Sequence, residues 1–390
     1  MTKGCAVIAE YDPFHNGHLH HLAETVKKTG APFTAVFLSS YISQRGTFTL
    51  FSPHDRARMA LLGGADLVFG LPCRMTCREA EWYANAAVSA IDQSGCFDHL
   101  SFGCEMTDNA LLTKIASLME NPTDDFSGYI RKAMQEQKWS YPKALGAAIE
   151  KHIGIPADAL KQPNTILAVS YLRALIRRHS SIQPVIIPRS GAYHAREILP
   201  EAPSASAIRS AWQQGRFHAA EDAVPASSLS VMREAMQEKA CFDSGKGDAI
   251  LFSKLSLAGI KDLSPYCPAG EGLEQRICQA LPECRTREEL LEKTATSRIT
   301  KARVSRILTS YLLGISGSEK NGQPFVRLLG FRRTHSALIR RIAQNLPCYD
   351  SFKQMEMNPS CASECNAARL WRIGSGLPLR GLYEERPIIL

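Results

Sequence analysis

Short apolar runs alternate with amphipathic stretches along the first half of the chain. Residues 4–9 (Gly-Cys-Ala-Val-Ile-Ala) form a compact apolar run and predict a buried strand. A polar turn at Asp12-Pro13 follows, then a helical stretch that Gly30 should stop. Residues 33–38 predict a second strand and 39–50 a polar loop carrying Gln44-Arg45-Gly46. Residues 53–63 suit a helix, with Pro53 near its start and Gly63-Gly64 at its end. A third strand over 66–71 stops at Pro72, residues 78–93 read as a helix, and a fourth strand over 99–102 runs into Gly103-Cys104-Glu105. Residues 107–180 are mostly helical, interrupted at Asn121-Pro122 and at Gln162-Pro163-Asn164. A fifth strand over 183–187 precedes Pro188-Arg189, and the segment from Pro203 to Arg209 opens another helix. Repeated alternation of strand and helix predicts a parallel sheet covered on both faces, with ligands at the carboxyl ends of its strands. Around 224–246 the texture changes. A boundary near 235 divides the chain into an N-terminal domain, 1–235, and a mainly helical domain, 236–390, in which strand patterns are scarce.

Composition narrows the class. Of 390 residues, 45% are hydrophobic and 22% charged, so the chain can bury cores in two or three domains and is not disordered. No apolar run approaches the roughly 20 residues of a membrane span. The apolar start is too short for a signal peptide and leads straight into Glu10 and Asp12. We therefore expect a cytoplasmic protein with no membrane association, whose 12 cysteines stay reduced. The net charge of +8 is unevenly placed. Arg298, Lys301, Arg303, Arg306, Lys320, Arg327, Arg332, Arg333, Arg340 and Arg341 stand against Glu319 alone. Such a block is either a solvated helix face or a footprint for a polyanion.

The candidate chemistry sits directly after the first strand, in His15-Asn16-Gly17-His18. Two imidazoles and the backbone N–H groups of a helix N-terminus can stabilise charge that builds on a phosphate, and Gly17 lets a nucleotide approach the backbone. A His-x-x-His pair also suits zinc or a plain surface turn, but its place after the first strand of an alternating pattern favours the phosphate. His20 and His21 extend the cluster and read as rim groups. Cys73-x-x-x-Cys77 and Cys361-x-x-x-Cys365 have zinc-like spacing, yet ordinary buried thiols fit them better. No metal-ligating set is assigned.

The wording Glu10-Tyr-Asp-Pro-Phe-His-Asn-Gly-His18 resembles the nucleotidyltransferase superfamily, and within it the bacterial tRNA(Met) cytidine acetate ligases. Asp12 stands where that family usually has Asn, which places a carboxylate near the phosphates and would either support a metal or weaken ATP binding. Gln44-Arg45-Gly46, Asp55-Arg56-x-Arg58, Asp66-Leu-Val-Phe-Gly-Leu-Pro72, Phe102-Gly-Cys-Glu105, Gln162-Pro-Asn-Thr-Ile-Leu167, Ile187-Pro-Arg189 and Ser204-Ala-Ser-Ala-Ile-Arg209 are similar to further family segments. The resemblance implies a Rossmann-like α/β fold of nucleotidyltransferase type with a mainly helical C-terminal domain. It implies use of ATP with Mg²⁺, activation of acetate as acetyl-adenylate, and acetyl transfer to N4 of the wobble cytidine of elongator tRNA(Met), held by the basic tail. Family ATP contacts carry over to Val7, Ile8, Ala9, Glu10, Tyr11, Asp12, Pro13, Phe14, His15, Asn16, Gly17, His18, Leu19, His20, Gly103, Asn164 and Arg189. His15, His18, Ser204, Ser206 and Arg209 would carry the chemistry.

Each residue keeps a plainer alternative. Gly103 leaves room for an adenine or ribose, or is a turn glycine. Asn164 reads a base or sugar edge, or caps a helix. Arg189 grips phosphate or carboxylate, or makes a surface ion pair. Ser204 and Ser206 point hydroxyls at phosphate, or only cap a helix. Two other functions stay open: an adenylyltransferase acting on a small metabolite, and a non-catalytic RNA-binding protein on this fold. No stable protein partner is expected.

Overall fold

The structure, a computed structural model, describes residues 3–189, 204–317 and 322–390. An eight-stranded sheet forms its centre: β1 (Gly4–Ala9), β2 (Thr34–Ser39), β3 (Leu67–Leu71), β4 (Phe97–Cys104), β5 (Gln183–Pro188), β6 (Val326–Phe331), β7 (Cys348–Tyr349) and β8 (Ile388–Ile389). Their order is β5-β4-β1-β2-β3-β6-β7, with β8 also on β6. The first five strands pair in parallel, and β6 closes the sheet antiparallel to β3. β2 and β3 are buried along their whole length, as apolar strands covered on both faces must be.

The predicted elements of the first half appear, several with shifted ends. The helix Asn16–Thr29 stops where Gly30 adopts φ 58, and the helix Pro53–Leu62 starts under the Ser52 cap with Pro at its first turn. The fourth strand is longer than predicted, and the stretch 78–93 becomes the helix Ala80–Ser94. One face of the sheet packs on that helix together with Asn109–Glu120 and Pro163–Arg177, around Phe37, Phe69, Phe97, Val88 and Leu172. The other face buries Val36, Leu38 and Val68 against the helices Pro53–Leu62, Ala205–Gln213 and Ala226–Gln237. Helices from residue 244 to 313 hold a further core around Leu255, Leu273, Ile277, Leu290 and Leu308. Each fully buried side chain of this size contributes roughly 1.5–3 kcal/mol.

Beyond residue 235, the structure is mostly helical but also returns to the sheet. β6, β7 and β8 all come from that stretch, so the sheet draws on both sides of 235. β1 lies between β4 and β2, and the chain departs from it in opposite directions along the sheet. That is the switch point at which α/β sheets leave a crevice.

Candidate active site

A cleft of about 530 Å³ opens at that switch point. The ends of β1, β4 and β5, the loop after β2, and the starts of the helices Asn16–Thr29 and Ala205–Gln213 all reach it. Of the residues singled out from sequence, Val7, Ile8, Ala9, Glu10, Tyr11, Asp12, His15, Asn16, Gly17, His18 and His20 line it. Gly103, Asn164, Arg189, Ser204, Ser206 and Arg209 join them from far along the chain. Pro13, Phe14 and Leu19 do not line it. Phe14 is packed into the core beside Tyr11, and Leu19 faces solvent.

The two histidines form a reciprocal cap. His15 is the N-cap, and its Nδ1 accepts from Gly17 N–H at 3.1 Å. Nδ1 of His18 accepts in turn from His15 N–H at 3.2 Å. The rings stack with centroids 3.6 Å apart at 21°. A backbone N–H can only donate, so both Nδ1 atoms lack a proton and each neutral ring carries its proton on Nε2. Burial, then the charges of Arg189 and Arg209, lowers the His15 pKa to about 3. Burial, then His15, Arg189 and His21, holds His18 well below the usual range. Both are therefore neutral Nε2–H donors in the free protein, and neither Nε2 has a hydrogen-bond partner among the described residues.

The expectation that backbone N–H groups of this helix would hold phosphate changes accordingly. Asn16 N–H donates to the Ala223 carbonyl at 3.0 Å, and Gly17 N–H to His15. The imidazoles, not the amides, present the donors. At the second helix, the Ser204 hydroxyl caps Ala207 N–H at 3.1 Å and lies 3.2 Å from the Ser206 hydroxyl. Capping and a place in the cleft thus coincide there, and the positive end of the helix dipole faces the same space.

Asp12 lines the cleft with its carboxylate already engaged. The carboxylate accepts from Leu50 N–H at 3.0 Å and Phe51 N–H at 3.1 Å, and lies 3.7 Å from Arg209. It fastens a loop and orients an arginine. Arg209 also donates to the Asp12 carbonyl. Asn164 does not cap its helix, whose N-cap is Gln162; its Nδ2 donates to Glu105 at 2.6 Å. Gly103 has no positive φ, and the nearest atom to an added Cβ would be Ile187 O at 4.0 Å. Neither backbone strain nor packing demands glycine there, which leaves the open cleft as the reason for it. Arg189 closes the edge through N–H to Cys104 O at 3.0 Å.

His21 is not the rim group expected. Its Nε2 meets the Ser101 hydroxyl at 3.1 Å, and burial, then Arg189, lowers its pKa to about 4. Tyr83 and Tyr171 line the cleft without having been singled out, and Phe102 and Leu167, named only as ends of family-like segments, line it too. They are apolar-face residues of helices and a strand, and no local pattern separates such positions from ordinary core. The cysteine pairs 73/77 and 361/365 share one apolar cluster, but no three ligating side chains converge among the described residues.

Arg56, matched earlier to a basic helix, is a buried strut. Its Nε donates to Phe51 O, its Nη1 to Glu10 O and Ser39 O, and its Nη2 to Ser40 O. It pins the ends of β1 and β2 on which the cleft is built. The next loop is pinned from the other side. Glu10 accepts from Gln44 N–H at 2.6 Å, and the Gly46 carbonyl accepts from Thr309 Oγ1 at 2.6 Å and Arg287 Nη2 at 2.7 Å. Gly46 has φ 79, and a Cβ there would lie 2.8 Å from the Arg306 backbone. The cleft loop is thereby clasped to the helix Lys301–Leu313.

The basic block divides. Arg327 is buried on Glu385 at 2.8 Å and Tyr41 at 2.9 Å, and Arg332 donates to Ala65 O at 3.1 Å and Leu61 O at 2.7 Å. Lys301 pairs with Glu288 and Glu292. Arg298, Arg333 and Arg340 are exposed. Among the described residues, no helix is long and apolar enough to cross a membrane.

A nucleotide-sized cleft at the switch point, faced by a His-x-Gly-His cap and a second helix N-terminus, is the architecture of a nucleotidyltransferase, and the HIGH Nucleotidyl Transferase family model matches residues 2–376. The Acetivibrio thermocellus tRNA(Met) cytidine acetate ligase is 32% identical over 377 residues, covering 92% of this chain and 90% of that protein. The Clostridium acetobutylicum tRNA(Met) cytidine acetate ligase is 33% identical over 346 residues, covering 83% and 84%. The chain belongs to the tRNA(Met) cytidine acetate ligase family, a family of enzymes. Apo Thermotoga maritima TmcAL superposes over 100% of both chains with a TM-score of 0.90 at 22% identity, and the α-thio-ATP-bound form of that protein with 0.89. These solved structures share the fold.

Proposed function

We propose that the protein condenses acetate with ATP to give acetyl-adenylate and pyrophosphate, then passes the acetyl group to N4 of the wobble cytidine of elongator tRNA(Met). The observation that carries this reading is the stacked, neutral His15–His18 pair facing a cleft at the switch point, in a chain of this family.

In the first step an acetate oxygen attacks the α-phosphorus and the bond to pyrophosphate breaks. Negative charge grows on the α-phosphate and on the departing oxygens. Two Nε2–H donors held by the backbone need no reorganisation to meet that charge. Arg189 and Arg209 supply the positive field, and Ser204, Ser206 and their helix start face the same anion. Tyr83, Tyr171 and Phe102 give the cleft an aromatic wall that shields the mixed anhydride from water. In the second step the cytidine amine attacks the acetyl carbon, AMP leaves, and the amine proton passes to solvent. Mg²⁺ enters as part of the nucleotide substrate. No three ligating side chains converge among the described residues, so the ion would be held mainly by the nucleotide it accompanies.

The test is to incubate protein, ATP, Mg²⁺, labelled acetate and bulk tRNA and to analyse the nucleosides. Label in N4-acetylcytidine, with acetate-dependent pyrophosphate release, is the expected result. Pyrophosphate release driven by another small acid, or tRNA binding without ATP turnover, would replace this reading with one of its alternatives.

A further inference from the structure

Trp82 is 47% exposed although it begins a helix whose next residue, Tyr83, is buried and lines the cleft. The Arg78 guanidinium lies over the Trp82 ring, 4.7 Å from its centroid. The indole is thus held in place by a cation while nearly half of its surface stays open to a partner. This pair is tied into the active site. The Arg78 carbonyl accepts from Gln44 Nε2 at 2.9 Å, and Gln44 and Arg45 line the cleft. The Cys77 thiol donates to the Arg306 carbonyl at 3.7 Å, which sets the basic helix Lys301–Leu313 alongside.

Charge on this edge is positive. Glu81 is neutralised by Arg173 at 3.0 Å and Arg177 at 2.8 Å. Glu79 shares its field with Arg78 and Arg306, and Arg45 adds a third cation. The edge therefore joins a flat aromatic face to several guanidinium groups, beside a cleft of nucleotide-sized volume. Aromatic rings accept unstacked bases and arginines accept the intervening phosphates, whereas paired RNA hides its base faces.

We infer that Arg78 and Trp82 form a stacking platform for an unpaired RNA base next to the one that enters the cleft. This rests on the proposed tRNA reaction and specifies where the RNA loop lies. One base stacks on the indole, its neighbour turns into the cleft past Arg45, and the phosphates between them face Arg78 and Arg306. The surface selects single-stranded loops over helices.

The experiment uses the full-length protein and two RNAs of equal length: an anticodon stem–loop, and a hairpin whose nucleotides are all paired and whose ends are joined by a non-nucleotide linker. Tryptophan emission should be quenched by the stem–loop; Trp212 and Trp371 are buried, and the half-buried Trp139 lies under Lys143, so loss of the quench in the variant assigns it to Trp82. Trp82→Ala should remove that quench and weaken stem–loop binding roughly 5- to 100-fold. It should leave the melting temperature unchanged and the weaker hairpin binding untouched. Trp82→Phe should restore most of the affinity. Stem–loop affinity within twofold of wild type in Trp82→Ala overturns the platform, as does an equal loss for both RNAs, which would mean general charge attraction. Acetate-dependent pyrophosphate release by the wild-type protein, measured without RNA, tests the reaction separately. Its absence would sink the proposed function while leaving the quench to stand or fall by itself.

Discussion

Arg56 and the His15–His18 pair sit at the same end of the sheet and are both shielded from solvent, yet they are finished differently. Every nitrogen of the Arg56 guanidinium donates to a backbone carbonyl of the fold. Each imidazole is only half engaged: Nδ1 accepts from the backbone, and Nε2 faces the cleft with no partner among the described residues. A buried polar group with all its hydrogen bonds made holds a structure together. One that is fixed by one atom and open at the other is held ready for a ligand. The distinction matters because both kinds occur in motifs that look equally basic in sequence.

The sharpest way to break this comparison is to exchange the expected losses. On the proposed reaction, His18→Ala should lower acetate-dependent pyrophosphate release by about 100- to 1,000-fold or more, the loss expected for removing one transition-state donor. Stability should fall only by the loss of a cap, about 1 kcal/mol. Near-normal release would disconnect the pair from catalysis. Arg56→Met should do the reverse. It strands the carbonyls of Glu10, Ser39, Ser40 and Phe51, and urea denaturation should show a loss of about 3 kcal/mol or more. A stable but inactive Arg56→Met protein would make Arg56 part of the site instead.

Gly46→Ala tests the clasp between the two regions. With φ 79 and the Arg306 backbone in the way, we expect a loss of about 1–3 kcal/mol in thermal or urea melts. Asp12→Asn should be milder. One carboxylate oxygen can be replaced by an amide oxygen but not both, so a cost near 1 kcal/mol and little change in ATP affinity are expected. A tenfold gain in ATP affinity would restore the idea of a repelling charge.

A pH slope should appear as well. His15, His21 and His54 have pKa values lowered from 6.5 to about 3, 4 and 4 by burial. Below pH 6.5 the unfolded chain takes up protons that the folded one refuses. Stability should thus be full above that pH and decline as pH falls toward 4. His54 lies outside the cleft, so His54→Leu should flatten the slope without altering pyrophosphate release at neutral pH. An unchanged slope would leave the cleft histidines as its source.

What sequence could show divides along similar lines. His15 and His18 were legible because strand, turn and helix follow one another locally and the spacing carries the geometry. The strand β6 was not. Val326–Phe331 is a short apolar run that periodicity cannot assign, and its partner Leu67–Leu71 lies far away in the chain. Tyr83 and Tyr171 were missed because a cleft-facing aromatic has the same helical spacing as a core residue. The roles of Arg56, Arg327 and Arg332 were hidden because positive charge in sequence does not tell which cations will be met by carbonyls. Only the fold separates the arginines that a polyanion can still reach.

The Gly46 carbonyl shows what such internal ties imply. One oxygen receives hydrogen bonds from Arg287, at the start of one C-terminal helix, and from Thr309, within another, while the residues just before it border the cleft. A tilt of either helix would reach Arg45 and Gln44 through that single oxygen. If a bulky cargo leans on those helices, its grip and the shape of the reaction chamber become mechanically one variable.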